Sequence, residues 1–306
     1  MKIYLNRRPV HGPWGGGNKV VTNLFESLTK LEHQVVFTLE ENIDLIFCFD
    51  PRPNEFSEWY RHILNYKIAH PHTKIIQRVG DLGTHGKPEL TNLVARAVDL
   101  SDYLIFPSEW AKEYLDYKGQ NFSVIHNAPL NVFHKYKKNN NLNETLSVVT
   151  HHWSTNPKKG FKYYKLFDDY IGEHKDISFT FVGRMPKDCN FKNVNCVEAT
   201  GDNDFLANLL SKHDIYLTAS EEEAGANHVL EALAAGIPVI YHNNGGSILN
   251  YCSEYGLGYD NFEQMIACIQ EIKNSYNKYK EKTMNYACTI NDIIEEYIRV
   301  IEHVHG

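Results

Sequence analysis

Short apolar runs alternate with longer amphipathic stretches along most of the chain. In the N-terminal part these runs are rich in β-branched and aromatic side chains and predict six strands, at 2–5, 34–38, 44–47, 74–79, 103–106 and 123–126. Between them, apolar residues recur at helical spacing, notably over 18–30 and 90–99. Apolar strands separated by helices are typical of a parallel sheet covered by helices on both faces. The N-terminal part is therefore predicted to be a doubly wound α/β domain.

A second series of the same kind follows a polar interruption. Residues 131–144 are rich in lysine and asparagine and lose the periodicity, which is the composition of a solvated linker containing a hinge. The strands predicted beyond it lie at 147–150, 178–182, 215–218 and 238–241, and the helices at 162–170, 205–211 and 227–235. Residues 1–140 and 145–288 are thus predicted to be two Rossmann-like domains.

The C-terminal segment 289–306 is predicted to form an amphipathic helix over 292–303. Its apolar stripe suits packing against either domain, and packing back onto the N-terminal domain is one option. Ligands of open α/β sheets bind outside the carboxyl ends of the strands. We therefore expect the active site in a central cleft that the two domains face.

Composition and charge exclude several classes of function. The chain has 38 acidic and 31 basic residues and a formal net charge of −7, which disfavours nucleic acid as a partner. Six cysteines without a CxxC pair are expected to be reduced thiols. No run of eighteen apolar residues and no signal peptide is found. A cytoplasmic location is expected, and peripheral contact with a membrane stays open.

The most informative segment is 215–240. A predicted strand ends in an acidic turn that enters a helix through Gly225, Ala226 and Asn227. The free backbone N–H groups of a helix N-terminus stabilise a phosphate without any side chain. Glu231, about two turns after Glu223, offers acceptor oxygens suited to the hydroxyls of a ribose.

This segment resembles the retaining glycosyltransferases of family four, also called group 1, which have the GT-B fold. Glu223 and Glu231 match their two glutamates separated by seven residues, and 231–239 match the phrase EA-x-x-x-G-x-PV that follows. The resemblance implies that Glu223 contacts hydroxyls of the donor sugar and that Glu231 holds the ribose. An acidic loop before a solvent-facing helix is the alternative, and it accounts less well for the whole string.

The loop 153–161 matches the family only in part. Family members carry an arginine, four residues and then a lysine, and these two cations bind the donor diphosphate. Lys159 stands at the lysine position, whereas Ser154 stands at the arginine position. Lys158 or Arg184 can supply the missing charge, and a solvated turn is the alternative for both lysines.

A second glycine-containing loop also resembles the family. Gly245 and Gly246 match a loop near the diphosphate, but Leu249 replaces the glutamate that usually follows.

Two loops of the N-terminal domain are further candidates. The glycine-rich loop 12–18 lacks the spacing of a dinucleotide or P-loop site, but family members have a GG loop here near the transferred sugar, matched by Gly16 and Gly17. The loop 80–86 follows a predicted strand. Several family members place a histidine in this region, so His85 is the first candidate for a catalytic residue and Asp81 the second, with a surface histidine as the alternative.

The tripeptide Asp202-Asn203-Asp204 looks like the DxD metal motif of another glycosyltransferase fold. Its position before a predicted helix favours a helix cap, because aspartates in the first turn complement the helix dipole.

Together these features imply transfer of a sugar from a nucleotide diphosphate-sugar to a glycan or lipid-linked saccharide, as in polysaccharide biosynthesis. The resemblance implies retention of configuration, no metal and no other cofactor, with Lys159 and Glu223 among the catalytic residues. Two alternatives remain open: a nucleotide-sugar epimerase of GT-B fold, and a non-catalytic sugar-nucleotide-binding protein, suggested by the missing arginine at Ser154.

Overall fold

The computed structural model describes residues 1–10, 16–137, 141–187 and 189–306. They divide into two compact units: unit 1 comprises Met1–Asn127 and Ile290–Gly306, and unit 2 comprises Ala128–Thr289. Each unit contains a six-stranded sheet in which all the pairings are parallel. The predicted α/β class with two doubly wound sheets is confirmed.

Unit 1 contains strands β1 to β6 in the order β2-β1-β3-β4-β5-β6. The strands are β1 (Lys2–Leu5), β2 (Gln34–Val36), β3 (Leu45–Cys48), β4 (Lys74–Arg78), β5 (Tyr103–Phe106) and β6 (Phe122–Val124). The helices among them are α1 (Gly16–Lys30), α2 (Tyr60–Ala69), α3 (Pro88–Leu100) and α4 (Glu109–Tyr114). The strand order reverses between β1 and β3.

Unit 2 contains strands β7 to β12 in the order β12-β11-β10-β7-β8-β9. The strands are β7 (Leu146–His152), β8 (Ile177–Gly183), β9 (Asn195–Val197), β10 (Ile215–Thr218), β11 (Val239–His242) and β12 (Gly256–Tyr259). The helices are α5 (Asn131–Lys135), α6 (Phe161–Glu173), α7 (Asn203–Leu210), α8 (Asn227–Ala234), α9 (Ser247–Cys252), α10 (Phe262–Asn274) and α11 (Tyr276–Met284). The strand order reverses between β7 and β10, the arrangement of a Rossmann fold.

The last helix, α12 (Ile290–His305), belongs to unit 1. Its buried stripe includes Ile294, Tyr297 and Ile301. The hydroxyl of Tyr297 accepts a hydrogen bond of 2.9 Å from Nε of Arg78, a buried residue of β4. Among the described residues, none of the helices has the length and apolarity required to cross a membrane.

Side-chain alternation along β7 and β10 determines which side chains reach each face of the unit 2 sheet. Val148 and Leu217 pack into the core cluster that includes α6 and α10, whereas Val149 and Tyr216 pack into the cluster that includes α7 and α8. The same alternation continues to the polar ends of both strands. It therefore decides which helix each polar side chain of the candidate site meets.

The prediction of a linker over 131–144 is wrong for the first residues of this range. Residues Asn131–Lys135 form α5, and Phe133 is fully buried in the core of unit 2. Lys137 is half-buried, and its Nζ donates to the carbonyls of Met284 at 2.9 Å and Tyr286 at 2.5 Å. Residues 138–140 lie outside the described part of the chain.

Candidate functional site

Most of the predicted donor-binding residues lie at the carboxyl ends of β7, β10 and β11. The loop that follows β7 contains a 3₁₀ turn at Pro157–Lys159, and the loop that follows β10 contains Glu221, Glu222 and Glu223. Because β7 and β10 are neighbours at the reversal of strand order, these two loops border the crevice in which such sheets bind ligands.

Three lysines of the first loop and the start of α6 pair with the three glutamates of the second. Lys162 Nζ lies 3.6 Å from Glu221 Oε1, Lys158 pairs with Glu222, and Lys159 pairs with Glu223. We call these three pairs the lysine–glutamate ladder. Its innermost pair, Lys159 and Glu223, is 13% and 14% exposed, against 36% and 29% for Lys158 and Glu222. The inner charges are therefore the least screened by water.

Backbone hydrogen bonds fix the loop of the three glutamates. Glu221 N donates to the carbonyl of Lys158 at 2.8 Å, and Glu223 N donates to the carbonyl of Gly245 at 3.2 Å. Position 246, which faces Glu223, requires a glycine. Its φ is +67°, and a Cβ there would lie 2.5 Å from the carbonyl oxygen of Glu223. Gly245 and Gly246, which were predicted to bind the donor, thus pack directly against Glu223.

The N-terminus of α8 follows this loop. Gly225 and Ala226 lead into the helix, and Ala226 N donates to the Ser247 hydroxyl at 3.0 Å. The amides of Asn227 and the next two residues have no acceptor within the helix, and the helix dipole makes this end positive. Six of the eight residues of α8 are buried, so the alternative of a solvent-facing helix is wrong.

Glu231 lies on the buried face of α8. Its Oε2 is 2.8 Å from Nε2 of His151, the next-to-last residue of β7, and the two side chains are 5% and 2% exposed. The other ring nitrogen of His151 is 3.1 Å from the hydroxyl of Tyr216. Glu231 is therefore part of a buried network that joins β7, β10 and α8.

Two more histidines, which were not predicted from the sequence, lie near the carboxyl ends of β7 and β10. Nε2 of His152 lies 2.6 Å from the hydroxyl of Tyr164, and Nε2 of His228 lies 3.0 Å from Oγ1 of Thr218. Burial lowers the pKa of His228 to about 3 and the pKa of His152 well below 6.5. Both imidazoles are neutral at physiological pH. The pair His151-His152 at the end of a predicted strand was the available signal.

Ser220, between Thr218 and the ladder, is fully buried, and its Oγ has no hydrogen-bond partner among the described residues. A buried polar atom without a partner costs about 1–3 kcal/mol. Such unsatisfied groups call for an explanation and concentrate at functional sites.

The residues considered for the place of the family's arginine lie in different surroundings. Ser154 is exposed, and its hydroxyl accepts a hydrogen bond of 3.2 Å from Asn156 N. Arg184 is exposed just after β8, where its backbone N donates to the carbonyl of His152 at 3.1 Å. Lys158 is engaged with Glu222.

The unit 1 candidates occupy loops at the carboxyl ends of β1 and β4. The carboxylate of Asp81 accepts from Lys87 Nζ at 2.8 Å and lies 3.7 Å from Arg52. His85 is half-buried on the same loop. Gly16 and Gly17 begin α1, and the preceding glycine-rich residues 12–15 lie outside the described part of the chain.

The DxD-like tripeptide is a helix cap, as predicted. The side chain of Asp202 accepts a hydrogen bond of 3.0 Å from Phe205 N at the start of α7. Asp204 contacts Lys135 and Tyr136, each at 3.0 Å.

Comparison with known families finds a match in this region. Residues 154–272 match the family model described as "Glycosyl transferases group 1". The match spans the ladder, α8 and the loop of Gly245 and Gly246. No curated protein matches the chain in sequence.

Solved structures resemble the chain over nearly its whole length. Sucrose-phosphate synthase from Thermosynechococcus elongatus has 13% identity and a TM-score of 0.71, over 99% of this chain and 98% of that one. WaaG, a glycosyltransferase involved in lipopolysaccharide biosynthesis, has 14% identity and a TM-score of 0.64, over 98% and 99%. Anabaena HepE in complex with UDP-glucose has 14% identity and a TM-score of 0.66, over 99% of both chains. These likenesses confirm the predicted GT-B fold.

Proposed function

We propose that the chain transfers a sugar from a nucleoside diphosphate-sugar to a hydroxyl of a glycan or lipid-linked saccharide, with retention of configuration and without a metal. The observation that carries the proposal is the shielded pair of Lys159 and Glu223 beside the N-terminus of α8, in the segment that matches the glycosyltransferase group 1 family model. HepE, which has a similar fold, was solved with UDP-glucose, so UDP-sugars are the first donors to test.

In this proposal the diphosphate lies between Lys159 and the first turn of α8. Both are positive, and cations held in place before reaction stabilise a departing diphosphate more than a flexible group would. The anion competes with the carboxylate of Glu223 for the ammonium group of Lys159. Once released, that carboxylate is available to accept hydrogen bonds from the donor sugar, the role the family resemblance implies for it.

The transfer step breaks the bond between the anomeric carbon and the diphosphate oxygen. The acceptor hydroxyl forms its new bond on the same face of the sugar, and its proton passes to a phosphate oxygen of the leaving group. Lys159 and the α8 amides stabilise the charge that develops there. In the same proposal unit 1 binds the acceptor, Gly16 and Gly17 are donor-binding residues, and His85 and Asp81 are catalytic residues.

Incubation with each UDP-, GDP-, ADP- and dTDP-sugar, with and without an acceptor panel, tests the proposal. We expect a glycosylated product only when acceptor is present, and anomeric proton couplings in the product that match the donor. A new nucleotide sugar formed without acceptor identifies an epimerase instead. Tight donor binding with neither product identifies a non-catalytic binding protein. A product of inverted configuration contradicts retention.

A further inference from the structure

His228 is the second residue of α8, and its imidazole lies among side chains of β7 and β10. Its ring centre is 5.2 Å from that of His152 and 6.2 Å from that of His151, both on β7. On β10 it contacts Thr218 and is 6.1 Å, ring to ring, from Tyr216. These neighbours hold the ring in one orientation.

The two nitrogens of this imidazole have different surroundings. Nε2 lies 3.0 Å from Oγ1 of Thr218, whereas Nδ1 has no hydrogen-bond partner among the described residues. Unlike His151 and His152, which are almost fully buried, His228 is half-buried. Nδ1 is therefore the nitrogen that is available to a ligand at the start of α8.

The contacts of Thr218 allow the ring proton of His228 to lie on Nδ1. The oxygen Oγ1 of Thr218 accepts a hydrogen bond of 3.3 Å from Ser220 N, and its hydroxyl proton can be donated to Nε2 of His228. In the tautomer that accepts this bond the proton of the neutral ring sits on Nδ1. A neutral donor here adds to the free amides of the first turn of α8 without the cost of burying another charge.

The geometry points to His228 as a further donor-binding residue, whose Nδ1–H donates a hydrogen bond to the diphosphate of the nucleotide sugar. This inference rests on the proposed function, since it names a contact of the same site. The low pKa of His228 agrees with this role, because the ring stays neutral at physiological pH.

Two isosteric substitutions separate this role from a purely structural one. The side-chain amide nitrogen of asparagine can occupy the position of Nδ1, and that of glutamine the position of Nε2. His228→Asn keeps a donor toward the ligand and loses the bond to Thr218. His228→Gln keeps a hydrogen bond to Thr218, with the amide nitrogen as donor and the Thr218 oxygen as acceptor, and loses the donor toward the ligand.

Calorimetric titration tests the inference on the full chain, with the nucleoside diphosphate among UDP, GDP, ADP and dTDP that stabilises the wild type most. We expect His228→Ala and His228→Gln to weaken binding about tenfold, the usual effect of losing a hydrogen bond to a charged group, and His228→Asn to stay within about threefold of wild type. Full retention in His228→Gln with loss in His228→Asn overturns the inference, as does no change in any variant.

A second measurement does not depend on the variants. Proton–nitrogen correlation spectra of the wild-type histidine side chains are expected to show His228 protonated at Nδ1, with that signal shifting when the diphosphate is added. Protonation at Nε2, or no shift, overturns the inference.

Lys159→Met is the control that separates this inference from the proposed function. If Lys159→Met abolishes diphosphate binding while His228→Ala retains it, only the role of His228 fails. If the wild type binds none of the four diphosphates, the proposed function fails and this inference falls with it.

Discussion

Lys158 and Lys159 are neighbours in sequence but lie in different surroundings. The side chain of Lys159 is 13% exposed against 36% for Lys158, and its partner Glu223 is likewise the more buried glutamate. The Coulomb interaction of a shielded ammonium with a diphosphate is stronger than that of a solvated one. At the residue scale, the two lysines are therefore predicted to differ in their contribution to transfer.

We expect Lys159→Met to lower kcat/KM by about 100-fold, the loss typical of removing one preorganised charge-stabilising group. Lys158→Met is the matched control and is expected to lower it by less than about tenfold. Steady-state rates with a saturating acceptor measure both effects. Equal losses would contradict the assignment of Lys159 as the principal cation.

Glu231 has a structural role that its sequence position did not reveal. Glu231→Ala leaves Nε2 of His151 buried without its partner at 2.8 Å, and a buried polar atom without a partner costs about 1–3 kcal/mol. We expect Glu231→Ala to destabilise unit 2 by that amount and Glu231→Gln, which keeps a hydrogen bond, by less. Denaturant unfolding measures this difference. A fully stable Glu231→Ala would show that the pair contributes nothing to the fold.

At the scale of elements, the sequence predicted α1, α3, α6, α12 and the central strands, because their apolar patterns reflect burial, whereas it did not predict α2 or α10. It did not predict β9 or β12, because β9 is a three-residue edge strand and β12 contains Gly256 and Gly258. It also missed α5, because one buried side chain, Phe133, gives no periodicity. Short elements are fixed by tertiary contacts that no local pattern records.

The candidate site was predicted unevenly for a similar reason. The segment from Glu223 to Val239 contains a turn and a helix directly after a strand. Its residues are neighbours in sequence, so local patterns predicted it. The contacts of Glu231 with His151 and of Lys162 with Glu221 join residues 80 and 59 positions apart, counted from their numbers. Only the strand order β10-β7 brings these residues together.

The loop around Gly246 gives a prediction at this scale. In Gly246→Ala the new Cβ would lie 2.5 Å from the carbonyl oxygen of Glu223, at a φ of +67°. We expect the loop to move and diphosphate affinity to fall at least tenfold, because the position of Glu223 depends on it.

Gly86→Ala is the control for this prediction. Its φ is also positive, at +77°, but a Cβ there meets nothing within 4 Å, so only the conformational cost of about 1–2 kcal/mol applies. Titration calorimetry compares the two variants. Unchanged affinity in Gly246→Ala would show that the loop adapts without cost.

At the scale of the whole molecule, stability is expected to depend on pH through three fully or partly buried histidines of unit 2. Burial lowers the pKa of His152, His213 and His228 below the ordinary value of 6.5. The unfolded chain therefore binds these protons more readily than the folded one. The stabilisation is complete above about pH 6.5 and is lost as the pH falls below it.

Between pH 6.5 and 5.5 we expect each of His152 and His228 to remove about 1 kcal/mol from the stability of unit 2. Lys159 and His151 lower the pKa of His228, whereas Glu223 raises it. The lysine–glutamate ladder therefore contributes to the size of this loss of stability. Hydrogen exchange of the β7 and β10 amides measures it, because these strands report on unit 2 alone. His228→Asn should lessen the slope, and an unchanged slope would mean that His228 is not buried neutral.

The central claim is that a nucleoside diphosphate binds where the strand order of unit 2 reverses. Hydrogen exchange with and without a saturating nucleoside diphosphate tests it over the whole chain in one measurement. We expect slowed exchange in the loop after β7, from Trp153 to Gly160, and in the segment from Ser220 to Val229. Protection confined to other segments, with both of these unchanged, would contradict the claim.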